Sequence, residues 1–373
     1  MEFKSCRLGE LCKRLSSGKS ITAENIMDEG QYPVFGANGL RGYTDSYNFD
    51  GSCAVIGRQG AYCGNVKYVS GQVYMSEHAV VAQANEYNNS KYLAYKLGIL
   101  QLGRFSGQAA QPGLSVQRLS RLLMEMPEKV IQDKVANILS KYDDALENNN
   151  KRIQLMEQII EKIYKHNFSY EATKKCLDKK FLSEIITITR GVSYSTEEIE
   201  CEIGNNLINL KNLQGYGGYR LDGTKKYDGK FKNEQTVNEG DLIMGITDMT
   251  QDRRTVGSVA LIPSVDGINV ISADLIKINS SLDKIYLYCL FRYGGVSKYL
   301  AQFANGANVL HLRPDSVLRT KIQLPSKDLI DKFIKIAKPL VLEINKLNEA
   351  NFNLAKQRDL LLPRLMSGKL EVK

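Results

Sequence analysis

Met126-Pro127-Glu128-Lys129-Val130-Ile131-Gln132-Asp133-Lys134-Val135-Ala136-Asn137-Ile138 is answered later in the chain by Leu324-Pro325-Ser326-Lys327-Asp328-Leu329-Ile330-Asp331-Lys332-Phe333-Ile334-Lys335-Ile336. Asp133-Lys134 and Asp331-Lys332 are the same dipeptide in the same frame, 198 residues apart. Working backwards, Ser106-Gly107-Gln108-Ala109 finds a counterpart in Asn305-Gly306-Ala307-Asn308, Gly64-Asn65-Val66 in Gly257-Ser258-Val259, and Gly9-Glu10-Leu11 in Ser183-Glu184-Ile185. Solenoid units repeat every 20 to about 50 residues, so a repeat this long marks a duplicated domain. The match is tightest in helical sequence and loosest in strands and loops, as expected for one scaffold used twice with two different surfaces.

Each copy ends in a long helical run. Val135, Leu139, Tyr142, Leu146, Asn149, Ile153, Met156, Ile160 and Ile163 step by three and four residues, a heptad seam. Adding 198 gives Phe333, Ala337, Leu340, Ile344, Leu347, Asn351, Leu354, Arg358 and Leu361, in the same phase and again with one central asparagine. Two seams in register predict that the helices pack on one another, with Asn149 and Asn351 setting the register. At about 1.5 Å per residue, a helix over 129–167 would span roughly 55 Å. Ile138, Leu155, Ile159, Leu342 and Leu360 widen the apolar stripe beyond what two helices need, so partner helices are expected. Pro339 should kink the second helix or open a new one after a short turn.

The 373 residues, 43% hydrophobic and 24% charged, allow two domains with cores of their own. No apolar run approaches 18 residues and polar sequence follows Met1-Glu2-Phe3-Lys4-Ser5-Cys6 directly, so a cytoplasmic protein without a signal peptide is expected. Seven cysteines with no Cys-x-x-Cys pair predict reduced structural thiols and no metal site. The net charge of +9 is shared, with 20 Lys/Arg against 17 Asp/Glu in residues 1–166 and 30 against 24 in residues 167–373. Basic charge spread over two folded domains favours a polyanionic partner.

Short strands are predicted at Ser52–Ile56, Asn65–Val69 and His78–Ala82, with a helix over Ser90–Leu100. The second copy repeats the plan with Asp241–Met244, Ser258–Ile262 and Asp274–Ile278, then a helix over Leu282–Tyr293.

The motifs of covalent chemistry fail one by one. Gly18-Lys19-Ser20 resembles the end of a phosphate-binding loop, but Lys13 stands where that loop needs glycine. Gly215-Tyr216-Gly217-Gly218-Tyr219 has Arg220 in place of the third glycine of a dinucleotide fingerprint and reads as a mobile loop. No Pro-Pro occurs, so the Asn/Asp-Pro-Pro-aromatic motif of an amino-methyltransferase is absent. His78, His166 and His311 have no nucleophile motif beside them. No catalytic residue is therefore assigned.

Recognition chemistry remains. Gly36–Tyr43 and Gly57–Tyr62 carry Asn38, Arg41, Arg58 and Gln59 on glycine-flexed loops, and Arg104 and Gln108 flank the repeated Ser-Gly segment, matched by Asn308. In the second copy Arg220, Lys225 and Lys226 are interleaved with Tyr216, Tyr219, Tyr227 and Phe231, and Arg253-Arg254 follows a strand. Arg to guanine and Asn or Gln to adenine read base edges, while Lys holds phosphates. These twelve residues are the candidate DNA contacts.

These features together resemble the specificity (S) subunit of type I restriction-modification systems. The residues that carry the likeness are the duplicated domain-plus-helix plan, the segment from Leu324-Pro325 to Lys332, Leu139-Ser140-Lys141-Tyr142-Asp143-Asp144-Ala145-Leu146-Glu147-Asn148-Asn149, and above all the close from Gln357-Arg358-Asp359-Leu360-Leu361-Leu362-Pro363-Arg364 to Leu370. The resemblance implies an α+β fold of two pseudo-symmetric mixed α/β target-recognition domains, residues 1–126 and 171–324. Spacer helices at 127–170 and 325–373 would follow them and pair as an antiparallel coiled coil. It also implies binding of a split duplex DNA site, assembly with modification and restriction subunits, and no cofactor on this chain, S-adenosylmethionine, ATP and Mg belonging to the partner subunits. The spacer positions expected at the helix pairing or partner surface are Val135, Leu139, Leu146, Asn149 and Met156, with Phe333, Leu340, Ile344, Leu347, Asn351 and Leu354. A DNA methyltransferase or nuclease with its own specificity domains, and a nucleic-acid-binding scaffold, are the competing readings. Cofactor binding by the isolated chain would reveal the first, and preference for RNA over split-site DNA the second.

Overall fold

The computed structural model describes residues 2–106, 113–168 and 178–372. The duplication is visible in its hydrogen bonds. Strand β1 (Phe3–Arg7) pairs antiparallel with β8 (Leu123–Pro127), and the chain then turns so that the Leu8 amide donates to the Leu122 carbonyl at 2.9 Å. In the second copy β9 (Asp178–Phe181) pairs antiparallel with β20 (Lys321–Leu324), and the Leu182 amide donates to the Thr320 carbonyl at 2.8 Å. The repeated glutamate explains itself here. Glu10 accepts from the Arg7 amide at 2.8 Å and Glu184 from the Phe181 amide at 2.7 Å, each satisfying a backbone donor that the turn would otherwise orphan.

Contacts divide the chain into two compact units, residues 1–146 with 354–373, and residues 147–353. The first unit carries a six-stranded sheet of β2 (Cys12–Ser17), β7 (Ala79–Ala84), β5 (Phe49–Gly57), β6 (Val66–Met75), β3 (Tyr32–Gly36) and β4 (Gly39–Thr44), in that spatial order. A helix at Ser90–Ile99 covers β5 and β6, started by the Asn89 side chain, which accepts from the Lys91 and Tyr92 amides. Its buried face, Tyr92, Leu93 and Leu97, packs with Ile56, Val80, Val135, Leu139, Leu365 and Met366 in one core. Lys96 is buried under the C-terminal segment and donates to the Met366 carbonyl at 3.0 Å.

The second unit contains two four-stranded sheets. One has the order β10 (Ile186–Arg190), β18 (Leu275–Ser280), β14 (Leu242–Gly245), β16 (Val259–Leu261). The other has the order β12 (Lys225–Tyr227), β11 (Asn205–Ile208), β17 (Asn269–Ile271), β13 (Thr236–Val237). The pair β15 (Thr247–Asp248) and β19 (Leu310–His311) ties two loops together. The helix at Lys284–Tyr293 is capped by Asp283 and buries Tyr286, Leu287 and Phe291 against Leu242, Met244, Ile276 and Ile278. Ile160, Tyr164, Phe333, Ala337 and Val341 complete this core, Tyr164 meeting Phe333 edge-on at 5.6 Å.

Both long helices form as the periodicity predicts, over Lys129–Phe168 and Lys327–Met366. Within the second unit the Asn149 amide donates to Asn351 Oδ1 at 2.9 Å, the Asn351 amide to Asn150 Oδ1 at 2.9 Å, and Arg152 meets Glu343 at 3.0 Å. Ascending numbers on one helix meet descending numbers on the other, so this stretch is antiparallel. Within the first unit Arg358 and Asp143 pair at 2.8 Å, both partly buried. Of the two outcomes expected at Pro339, the opening of a new helix does not occur, since helical structure is unbroken through it. It sits on the exposed face, as does Lys335, whose carbonyl loses its helical donor to the proline and can turn to water while Leu340, Val341 and Ile344 stay packed.

Gly18-Lys19-Ser20 is explained by packing. The Gly18 and Lys19 amides donate to the Ala79 and Met75 carbonyls, and a Cβ at Gly18 would collide with the Met75 carbonyl, leaving no room for a phosphate cradle. Gly191 occupies the same place in the second unit, its amide donating to the Leu275 carbonyl at 3.2 Å. Six of the cysteines are free thiols and Cys176 lies outside the described residues; burial pushes the Cys12 and Cys53 thiols up to about 12, far from a reactive thiolate.

Candidate nucleic-acid interfaces

Each unit frames one loop with the same main-chain bonds. In the first, the Gly57 amide donates to the Asn65 carbonyl, the Gly64 amide to the Gly57 carbonyl, the Arg58 amide to the His78 carbonyl and the Leu114 amide to the Arg58 carbonyl. In the second, the Gly245 amide donates to Ser258, Gly257 to Gly245, Ile246 to Asp274 and Leu312 to Ile246. The frames are the same, but the loops differ: residues 58–63 number six and residues 246–256 eleven. Even the brace is kept in altered form, for His78 Nδ1 and Gln59 Oε1 lie 3.2 Å apart where Thr247 donates to Asp274 Oδ1 at 2.9 Å.

The first unit gathers its candidates around this frame. Asn38 is exposed in the two-residue turn between β3 and β4, where Gly39 supplies φ +95°, and the Ala37 carbonyl of that turn rests on Gly57. Arg41 is exposed on β4 and Gln59 on the framed loop. The segment Leu102–Phe105 packs on Gly64 and carries exposed Arg104, whose guanidinium lies 4.8 Å from the Phe105 ring centroid. Arg58 differs from the others. Its backbone is fixed at both ends and its half-buried guanidinium donates to Ser17 Oγ at 3.3 Å. Gln108 lies outside the described residues. Sequence reasoning passed over Lys67, an exposed β6 residue whose ammonium lies beside Gly39; among the described residues neither it nor Arg41 nor Arg104 forms an ion pair.

In the second unit Arg253, Arg254 and Asn308 are all exposed. Gln251 donates to the Ala307 carbonyl at 3.0 Å, joining the long framed loop to the segment that carries Asn308. Arg254 pairs with Asp252 at 2.6 Å and its carbonyl accepts from the Tyr216 amide at 2.8 Å, so the Gly215–Tyr219 loop, expected to be mobile, is bonded to its neighbours. Arg220, Lys225 and Lys226 hang instead on an asparagine-rich framework. Asn212, fully buried, donates to the Arg220 carbonyl and Thr224 Oγ1 at 2.9 Å each, and Lys226 donates to Asn206 Oδ1 at 3.1 Å. Arg220 itself is paired with Asp222 at 2.7 Å, which holds the Asp222 carboxyl below its usual value.

Asp248 organises the long loop, and no sequence motif announces it. Only 2% exposed, its carboxylate accepts from the Thr250 amide and hydroxyl at 2.8 Å, the Thr255 amide at 2.7 Å and the Val256 amide at 3.2 Å. Burial opposes its ionisation, but these donors outweigh burial and hold the carboxyl below the ordinary value. A second missed group is Arg292, a largely buried guanidinium that pairs with Glu157 of the first long helix at 2.9 Å and lies 5.2 Å from the Tyr293 ring centroid. Along the long helices Val135, Leu139, Phe333 and Leu347 are buried, and Leu146, Asn149, Met156, Leu340, Ile344, Asn351 and Leu354 are half-buried. Leu155, Ile159, Leu342 and Leu360 stay 43–58% exposed, leaving apolar surface uncovered.

The same main-chain frame thus presents two dissimilar loops, one in each unit. Residues 1–158 match the sequence profile of the type I restriction modification DNA specificity domain. A stretch of 147 residues is 40% identical to the type I restriction enzyme EcoprrI specificity subunit of Escherichia coli, covering 38% of this chain and 36% of that relative. Over 317 residues the chain is 24% identical to the MjaIX specificity subunit of Methanocaldococcus jannaschii, covering 76% of this chain and 69% of the relative. The fold is that of the type I S subunit crystal structure from M. genitalium, with a TM-score of 0.69 at 17% identity over 98% of this chain and 96% of that one. Over residues 1–158 the chain is thus similar to type I restriction-modification specificity subunits, and it spans about a third of the length of the EcoprrI subunit that it matches. Among the described residues no helix is long and apolar enough to cross a membrane.

Proposed function

We propose that this chain acts as the DNA sequence-specificity subunit of a type I restriction-modification complex in the cytoplasm. It binds a bipartite duplex site and directs adenine methyltransferase and endonuclease subunits to it. Residues 1–126 and 171–324 each read one half-site, and the paired helices within 127–170 and 325–373 set the gap and dock the modification subunits. The observation that carries this reading is the pair of identical main-chain frames with loops of different length and side chains. One protein would need that arrangement to read two unlike sequences. The uncovered Leu155, Ile159, Leu342 and Leu360 supply the docking surface. S-adenosylmethionine, ATP and Mg are held by the partner subunits and none by this chain.

Methylome sequencing of cells with and without the chain, its modification subunits present in both, tests the proposal. The expected result is a split motif methylated only when the chain is present. A methylome unchanged by its removal would overturn the reading and favour a nucleic-acid scaffold.

A further inference from the structure

The second unit contains a cleft of about 470 Å³ beside its long loop, lined by Tyr216, Asp252, Arg253, Arg292, Lys298 and Gln302 among others. That volume is in the range of small-molecule sites and suits one nucleotide. Two of its charges are already spent, Asp252 on Arg254 and Arg292 on Glu157. Arg253 and Lys298 are exposed, and among the described residues neither forms an ion pair or a side-chain hydrogen bond. The cleft therefore presents two uncommitted cations.

Tyr216 stands at this cleft with 69% of its surface exposed. The chain has three described non-glycine residues with positive φ, and two of them, Tyr216 at +67° and Arg253 at +54°, line this cleft. Left-handed backbone is costly for a tyrosine or an arginine, and it persists here because the Tyr216 amide is fixed to the Arg254 carbonyl and Gly217 to the Gln214 carbonyl. The strain holds an aromatic ring out of the core. A solvent-facing ring on a fixed loop, flanked by unpaired cations, has the chemistry of a base-stacking platform with a phosphate clamp.

Resting on the DNA-recognition reading above, we propose that this cleft binds one unstacked nucleotide of the second half-site, its base against Tyr216 and its phosphate against Arg253 and Lys298. Sequence preference would then arise at this position from how readily the base step opens, in addition to base-edge contacts.

The test uses the full chain co-purified with its modification subunits, and duplexes of the methylome-derived site carrying 2-aminopurine at successive positions of the second half-site. Fluorescence should change on binding at one position. Tyr216→Phe should keep that change. Tyr216→Asn, which tolerates the left-handed backbone but has no ring, should abolish it and weaken binding roughly tenfold or more. The double substitution of Arg253→Gln and Lys298→Gln should lower the slope of log affinity against log salt by about 1.8. Wild-type binding with Tyr216→Asn equal in affinity and fluorescence would overturn the cleft proposal alone. Failure of the unaltered complex to bind any split duplex would overturn the recognition reading with it.

Discussion

The Asn149 side-chain amide donates to the carboxamide oxygen of Asn351 across 2.9 Å, and both residues are half-buried between the long helices. Asn149→Leu leaves the half-buried Asn351 carboxamide oxygen without its donor while the Asn351 amide keeps Asn150, whereas replacing both asparagines removes that orphaned acceptor. Asn149→Leu alone should destabilise by about 1–3 kcal/mol and the double leucine variant should recover most of that. Thermal unfolding of the four species gives the coupling, and additive effects would show that the pair does not act as a unit.

The Arg292–Glu157 pair should be the costlier one to break. Arg292→Met leaves Glu157 without its cation in a partly buried site, a loss on the order of 3 kcal/mol. Adding Glu157→Gln should restore a large part of it. Denaturant unfolding of the single and double variants checks the order.

Acid should weaken the second unit through Asp241. Burial disfavours its charge, yet Lys277 at 2.8 Å and Lys284 beside it hold the carboxyl below its ordinary value. A depressed folded value means that its contribution is complete above the unfolded value, near ~3.9, and is lost as pH falls through the lower folded value. Asp241→Asn should flatten this acid limb and lower stability at neutral pH by on the order of 3 kcal/mol, since two lysines lose their counter-charge. A pH series of melting temperatures decides.

Asp248 should control one half-site only. Removing the carboxylate frees the Thr250, Thr255 and Val256 amides, so Asp248→Ala should loosen the loop that carries Arg253 and Arg254. Methylome sequencing should then show relaxed bases in one half of the motif and unchanged bases in the other.

Spacing should follow helix length. Four residues inserted near Asn149 add about one turn, roughly 6 Å, and nearly preserve the seam. With base pairs about 3.4 Å apart, the recognised gap should grow by one or two base pairs while both half-sites keep their bases. Altered half-sites with an unaltered gap would refute the measuring role.

Helices and duplication were legible because they depend on periodic apolar positions and on local caps. Asn89 before Ser90 and Asp283 before Lys284 are short-range signals, and the strands at Phe49–Gly57 and Leu275–Ser280 fall where the apolar runs lie. Pro339 does not end the helix, because it and Lys335, whose carbonyl loses its donor, lie on the exposed face. Asp248, Asn212 and Lys67 escaped notice for a different reason. An aspartate that closes a loop on itself, and a lysine that crosses to a neighbouring hairpin, have no spacing in sequence; only the fold brings their donors and acceptors within reach.

The frames at Gly57–Gly64 and Gly245–Gly257 are built from peptide N–H and C=O groups, which every non-proline residue supplies. Changes of side chain inside either loop therefore leave the frame's bonds available, and loops of six and eleven residues both close on it. Lengthening such a loop costs little, since closure entropy grows only with the logarithm of length. Under the proposed function, new specificities would thus arise by point change or insertion within one loop of a lineage, each variant still folding well enough to be exposed to selection.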